Sequence, residues 1–223
     1  MHHAPGNRGI SLSVSASQNP SPRILLVHGL LNADWWLRPL AAALRREGYE
    51  PRLFGYPSVL GGPAQAIPRL AERLRVGGVA AIVGHSLGGL IALEALRAAP
   101  DAGIRRVVCL GSPLRGSATA RTIASRAWSR PLLGRSAPML QAGLRDWDGE
   151  AEVGVIAGDV PRGLGRLFSR FEGTSDGTVG VEETCLPGIA DHCIVHCSHT
   201  GLVFSRDVVA QTLVFLREGR FRR

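Results

Sequence analysis

Residues 84–88 of the 223-residue chain read Gly-His-Ser-Leu-Gly, a serine between two glycines, directly after one apolar run and directly before another. A serine hydroxyl is a weak nucleophile until a base takes its proton and a third group orients the base. The G-x-S-x-G spacing serves that chemistry. Glycines at minus two and plus two remove side chains that would collide where a strand turns sharply into a helix, and the turn lifts the hydroxyl of Ser86 above the sheet. The hydroxyl then sits beside a helix N-terminus, which favours negative charge. In a chain with 28 glycines the pentapeptide gains its force from context: residues 79–83 read as a strand and 87–99 as a helix.

A base must stand at the same end of the sheet. The histidines after Ser86 are His192, His196 and His199. The stretch CIVHC reads as a strand. His192 opens it at the wrong end, and His196 lies within it. His199 lies just past it, before the last helix, so it alone is placed at the carboxyl edge. Two aspartates can orient an imidazole there. Asp159 follows the strand at residues 152–157 closely, and Asp176 occupies the tight turn TSDGTV. Glu182 and Glu183 read as solvated.

A tetrahedral oxyanion needs two backbone N–H donors. Leu87, the residue after the serine, supplies one. The other is expected from the loop VHGLLNADWW, from Leu30 first, with Leu31 beside it. His28-Gly29 lets that loop turn back toward Ser86.

The elements that must hold these groups alternate along the chain. RILLVHG is a short apolar run suited to a buried parallel strand. Leu37, Leu40, Ala41 and Leu44 follow at helical spacing, with Arg45 and Arg46 in the last turn and Gly48 as a stop. YEPRLFGYPS restarts as a strand, and Ile67, Leu70 and Leu74 mark a second helix. VAAIVG, IRRVVCLGSP, EVGVIAG and CIVHC are further strands. The last helix carries Val209, Thr212, Leu213 and Leu216 on one face, with Ser205 as its N-cap. Such alternation predicts a mostly parallel central sheet with helices on both faces, whose strand carboxyl ends collect reactive groups.

Residues 1–22 read as a flexible polar segment and 23–223 as one domain, with a small helical cap around 115–147. That stretch carries Ile123, Ala127, Trp128, Leu132, Leu133, Met139 and Leu140, broken by Pro131 and Pro138. It either lines an acyl pocket or closes the back of the sheet. Leu31, Trp35, Trp36 and Trp128 are the candidate substrate-binding residues.

The net charge is +8, yet all 26 basic residues are arginines spread along the chain. That distribution argues against a nucleic-acid partner and leaves a weak association with anionic membrane surfaces. Residues 1–22 hold no apolar signal core, and no run approaches the roughly 18 residues of a membrane span, so a cytoplasmic location is expected. Cys109, Cys185, Cys193 and Cys197 are expected as free thiols. Cys193 and Cys197 on one strand stand roughly 13 Å apart, too far to bridge. DHCIVHCSH has the look of metal-ligand spacing, but a strand would split its histidines and cysteines between two faces, so no metal is expected.

VHGLL, GHSLGG, GSPLRGS, SDGTV and SHTGL occur in this order between residues 23 and 217. In this the chain resembles bacterial lipases and esterases of the α/β-hydrolase superfamily, the compact lipase kind above all, and more distantly the inositol deacylases that remodel lipid anchors. GSPLRGS resembles the lipase segment GTPHRGS, with Leu114 in place of the usual histidine. The resemblance implies an α/β-hydrolase fold and a chain order of serine, acid, histidine. It therefore implies Ser86, Asp176 and His199 as the triad, with Asp176 favoured over Asp159. It implies a small-molecule or lipid ester substrate, an acyl-enzyme, short- to medium-chain acyl groups and no cofactor. A thioesterase or acyltransferase would use the same triad. A non-catalytic binding protein on the same scaffold is the alternative of another class.

Overall fold

Strand formation follows the apolar runs. In the computed structural model, which describes residues 21–162 and 173–223, six strands form one sheet: β1 (Arg23–Val27), β2 (Glu50–Phe54), β3 (Ala81–His85), β4 (Arg106–Leu110), β5 (Glu152–Gly158) and β6 (Asp191–Val195). The spatial order is β2-β1-β3-β4-β5-β6, and every pairing is parallel. The polar segment expected at the N-terminus lies, to residue 20, outside the described residues.

Seven helices are described: α1 (Arg38–Arg46), α2 (Gly62–Arg75), α3 (Leu87–Arg97), α4 (Ala118–Ser125), α5 (Ala137–Ala142), α6 (Val181–Thr184) and α7 (Arg206–Glu218). They cover both faces. Period-2 alternation sends Leu25 and Val27 of β1 toward α2 and α3, and Ile24 and Leu26 toward α1 and α7. α1 buries Leu40, Ala41 and Leu44 at the helical spacing expected of it, with Leu37 buried just ahead. Ser205 caps α7 by accepting the Val208 N–H. α2 runs through Pro68, which lacks the N–H its turn requires and weakens the helix there. No helix among the described residues is long and apolar enough to cross a membrane.

The strand order fixes where a site can form. The chain leaves β1 for the outer strand β2, then crosses back to β3 on the other side of β1. The sheet's switch point therefore lies between the carboxyl ends of β1 and β3, where open parallel sheets bind ligands. The loop after β1 and the turn after β3 meet there.

Candidate active site

β3 ends at His85 and α3 begins at Leu87, so Ser86 alone makes the turn. It does so at φ 55° and ψ −123°, a strained backbone for any residue with a β-carbon. The turn is held from both sides. Ser86 N–H donates to the Leu110 carbonyl of β4 at 2.8 Å, and Gly89 N–H donates to the Ser86 carbonyl at 3.1 Å. The flanking glycines answer to space. A β-carbon at Gly84 would lie 2.5 Å from the Gly89 nitrogen, and one at Gly88 would lie 2.2 Å from the Val27 carbonyl oxygen.

His199 and Asp176 come together at the same end of the sheet. His199 Nδ1 donates to Asp176 Oδ2 at 2.6 Å, and the His199 backbone N–H donates to the Asp176 carbonyl at 2.9 Å. Asp176 is almost wholly buried, and its other carboxylate oxygen accepts the N–H groups of Thr178 and Val179 at 2.9 and 2.7 Å. Three donors thus fix the plane of the carboxylate. With Nδ1 committed, His199 keeps Nε2 as an acceptor.

The other candidates are placed elsewhere. Asp159 pairs with His196 at 2.9 Å on the surface. β6 begins at Asp191 and ends at Val195, so His196 lies past the strand rather than within it, with its side chain largely exposed. His192 faces α6, where its Nε2 meets the Thr184 hydroxyl at 2.8 Å. Glu183 is not solvated. Its carboxylate accepts the N–H groups of Ala118 and Gly180, and burial pushes its pKa above the ordinary value. Among the described residues no three His, Cys, Asp or Glu side chains are grouped to hold a metal ion. Cys109, Cys185, Cys193 and Cys197 are free thiols.

Two buried histidines flank the glycines of the motifs, and their structural work was not evident from sequence. His85 donates its Nε2–H to the His199 carbonyl at 3.1 Å, and the two rings lie 4.8 Å apart. Complete burial pushes its pKa down to about 3, which keeps it neutral. Tyr56 N–H donates to His28 Nε2 at 3.3 Å, so His28 carries its proton on Nδ1 and donates to the Gly29 carbonyl at 2.9 Å. The Tyr56 hydroxyl holds the His28 carbonyl at 2.9 Å, and the two rings stack at 4.3 Å. The only sequence signal was the position of each histidine, next to a glycine or serine at a strand end.

In the loop after β1, Leu31 N–H donates to Ser58 Oγ at 3.2 Å, whereas Leu30 N–H has no partner among the described residues. Leu87 heads α3, where helical bonding leaves its N–H unpaired. Both leucines stand next to Ser86 or across the switch point from it.

A mostly apolar cavity of about 290 Å³ opens over Ser86 and His199. Leu30, Leu31 and Trp36 line it from the loop after β1. Ala120, Ile123, Leu133 and Leu140 line it from the segment that contains α4 and α5. That segment therefore forms one wall of the cavity. Trp36 lines the cavity, whereas Trp35 and Trp128 are not among its lining residues. Trp35 is 56% exposed and packs edge-on against Trp36 at 5.7 Å. Trp128 is 70% exposed and lies past α4, which stops at Ser125 with extended backbone at Arg126.

A family model described as "Alpha/beta hydrolase family" matches residues 24–211. Among solved structures, the mature form of the lipase BlEst2 from Bacillus licheniformis is 20% identical with a TM-score of 0.75, over 92% of this chain and 95% of that one. A lipase-esterase related protein from Clostridium acetobutylicum ATCC 824 is 17% identical with a TM-score of 0.58, over 86% and 93%. Tomato methylketone synthase I, solved with 2-tridecanone, is 14% identical with a TM-score of 0.53, over 88% and 98%. A comparison with curated protein sequences finds no match. At these identities the structural likeness is one of fold.

Proposed function

The chain belongs to the alpha/beta hydrolase family, and from that premise we propose that it is a serine hydrolase of carboxylic esters with short- to medium-chain acyl groups. One observation carries the reading. A serine held at φ 55° shares a single apolar cavity with a histidine whose Nδ1 is locked 2.6 Å from a buried aspartate.

In this mechanism His199 Nε2 takes the proton of Ser86 as its Oγ attacks the ester carbonyl. The N–H groups of Leu87 and Leu30 hold the oxyanion of the tetrahedral intermediate. His199 then returns the proton to the leaving alcohol, and the acyl group stays on Ser86. Water then attacks the acyl carbon as His199 takes its proton; the bond to Ser86 Oγ breaks, His199 returns the proton to Ser86, and the acid leaves. Asp176 keeps the imidazole in the tautomer with Nε2 free and stabilises its charged form. His85 and His28 stay neutral and hold backbone. The apolar walls receive the acyl chain, which fits a small-molecule or lipid ester as substrate.

The test is direct. A fluorophosphonate should add one covalent mass to Ser86, and the protein should hydrolyse p-nitrophenyl butyrate or octanoate. A protein that turned over neither ester and left Ser86 unlabelled would be no serine hydrolase.

A further inference from the structure

Among the described residues two that are not glycine hold a positive φ: Ser86 at 55° and Leu31 at 58°. The strand-to-helix turn accounts for Ser86. Leu31 lies in the short turn that follows β1, where a residue with a β-carbon is strained at positive φ, and it is 62% exposed. Its restraint is a hydrogen bond. Leu31 N–H donates to Ser58 Oγ at 3.2 Å across 27 residues of sequence.

Ser58 is buried and is not among the residues lining the catalytic cavity. It sits on the loop after β2, behind the loop after β1. The segment that contains α4 and α5 holds it from the far side. Ser136, fully buried ahead of α5, donates its hydroxyl to the Ser58 carbonyl at 2.6 Å. Arg135 N–H donates to the Val59 carbonyl at 3.0 Å. A continuous chain of bonds therefore runs from the cap, through Ser58, to Leu31.

This chain decides which donors the loop can offer. With Leu31 N–H turned onto Ser58, the Leu30 N–H is the one left without a partner among the described residues beside the switch point. Without the Ser58 hydroxyl the strained positive φ of Leu31 loses this restraint, and relaxation there moves the neighbouring peptide. Donors to an oxyanion act only when they are fixed in advance.

We propose that Ser58 is a positioning residue for the oxyanion hole, setting the Leu30–Leu31 peptide through its hydroxyl, and that Ser136 makes this setting depend on the cap. The proposal rests on the reading of Ser86 as nucleophile and Leu30 as oxyanion donor.

Four full-length proteins test it: wild type, Ser58→Ala, Ser58→Thr and Ser136→Ala. Rates are measured on a soluble p-nitrophenyl ester and expressed per active site titrated with a fluorophosphonate. Inhibition by an alkyl trifluoromethyl ketone supplies a second readout, because its adduct with the serine carries the oxyanion. Ser58→Ala should lower kcat about tenfold with KM within twofold, less than the ~10²–10³ of losing a donor outright. Ketone affinity should fall by the same factor. Ser58→Thr, which keeps the hydroxyl, should recover most of both. Ser136→Ala should show the same split at smaller size. Unchanged kcat and ketone affinity in Ser58→Ala overturn the proposal, and so does a loss confined to KM. If Ser58→Ala does not fold, Ser136→Ala decides: wild-type kcat and ketone affinity in that variant overturn it. A wild-type protein unlabelled at Ser86 overturns the hydrolase reading first, before any variant is compared.

Discussion

Gly29 and Ser86 face each other so closely that a β-carbon at Gly29 would lie 2.9 Å from the Ser86 β-carbon and 3.2 Å from the His85 carbonyl oxygen. The loop after β1 can approach the serine only because residue 29 has no side chain. Gly29→Ala must push the loop away from Ser86, and with it the Leu30 N–H. A displacement near 1 Å costs about a hundredfold in rate. Gly29→Ala should therefore lose ten- to hundredfold in kcat on a soluble ester while its melting temperature moves little. Wild-type kcat in that variant would show that the loop does not position an oxyanion donor.

The close approach explains what was legible in the sequence. Gly29, Gly84 and Gly88 are demanded by backbone crossing within a few residues, so local spacing carried the signal. Apolar runs placed five strands, and apolar spacing placed α1, α2, α3 and α7, by the same logic. β6 was displaced because it begins with Asp191 and His192, polar residues that an edge strand tolerates and an apolar run does not reveal. An aromatic residue type does not reveal its exposure: Trp36 lines the cavity, whereas Trp35 and Trp128 are exposed. The contacts of Ser58, Glu183 and His85 join residues 27 to 114 positions apart, and no local pattern encodes them.

The Asp176–His199 pair separates the two acids. Asp176→Asn puts an amide against Nδ1 and favours the wrong imidazole tautomer, which costs about four orders of magnitude in kcat. Among the described residues Asp159 pairs with the exposed His196, so Asp159→Asn should stay within about twofold of wild type. Ser86→Ala should lose about six orders. Matched steady-state kinetics decide the matter. A severe loss in Asp159→Asn with a mild one in Asp176→Asn would move the acid.

Buried histidines make stability depend on pH. Burial pushes His85 down to about 3 from an ordinary 6.5, and lowers His28 and His192 as well. Below about pH 6.5 the unfolded chain binds protons that these folded positions refuse. Stability should therefore fall as pH drops from 6.5 toward 3, by up to ~1.4 kcal/mol per pH unit for His85 alone. Glu183, raised by burial, acts the other way, since the fold gains as pH falls through its raised pKa toward 4.5. Its contribution opposes that of the histidines. Urea unfolding at pH 7.5, 6 and 5 should show the decline, and His85→Gln should make it shallower. A slope unchanged by His85→Gln would remove His85 from the account.

Chain-length preference tests the cavity itself. Ile123, Leu133 and Leu140 give it apolar walls, and its volume of about 290 Å³ leaves room beyond an acetyl group. Each buried methylene contributes about 0.8 kcal/mol, roughly fourfold in kcat/KM if the gain appears in the transition state. Esters of six to ten carbons should therefore outrun acetate by orders of magnitude. Trp128 stands outside the lining and is 70% exposed, so Trp128→Ala should leave the octanoate-to-acetate ratio unchanged. Ile123→Trp fills the space above Ser86 and should lower that ratio at least tenfold while sparing acetate. Melting temperatures recorded beside the rates separate filling from unfolding, since overpacking a wall typically costs about 1–3 kcal/mol. A wild-type preference for acetate, or an Ile123→Trp variant that still favours octanoate, would mean that the acyl chain lies elsewhere, and the cavity would then hold only a small ester.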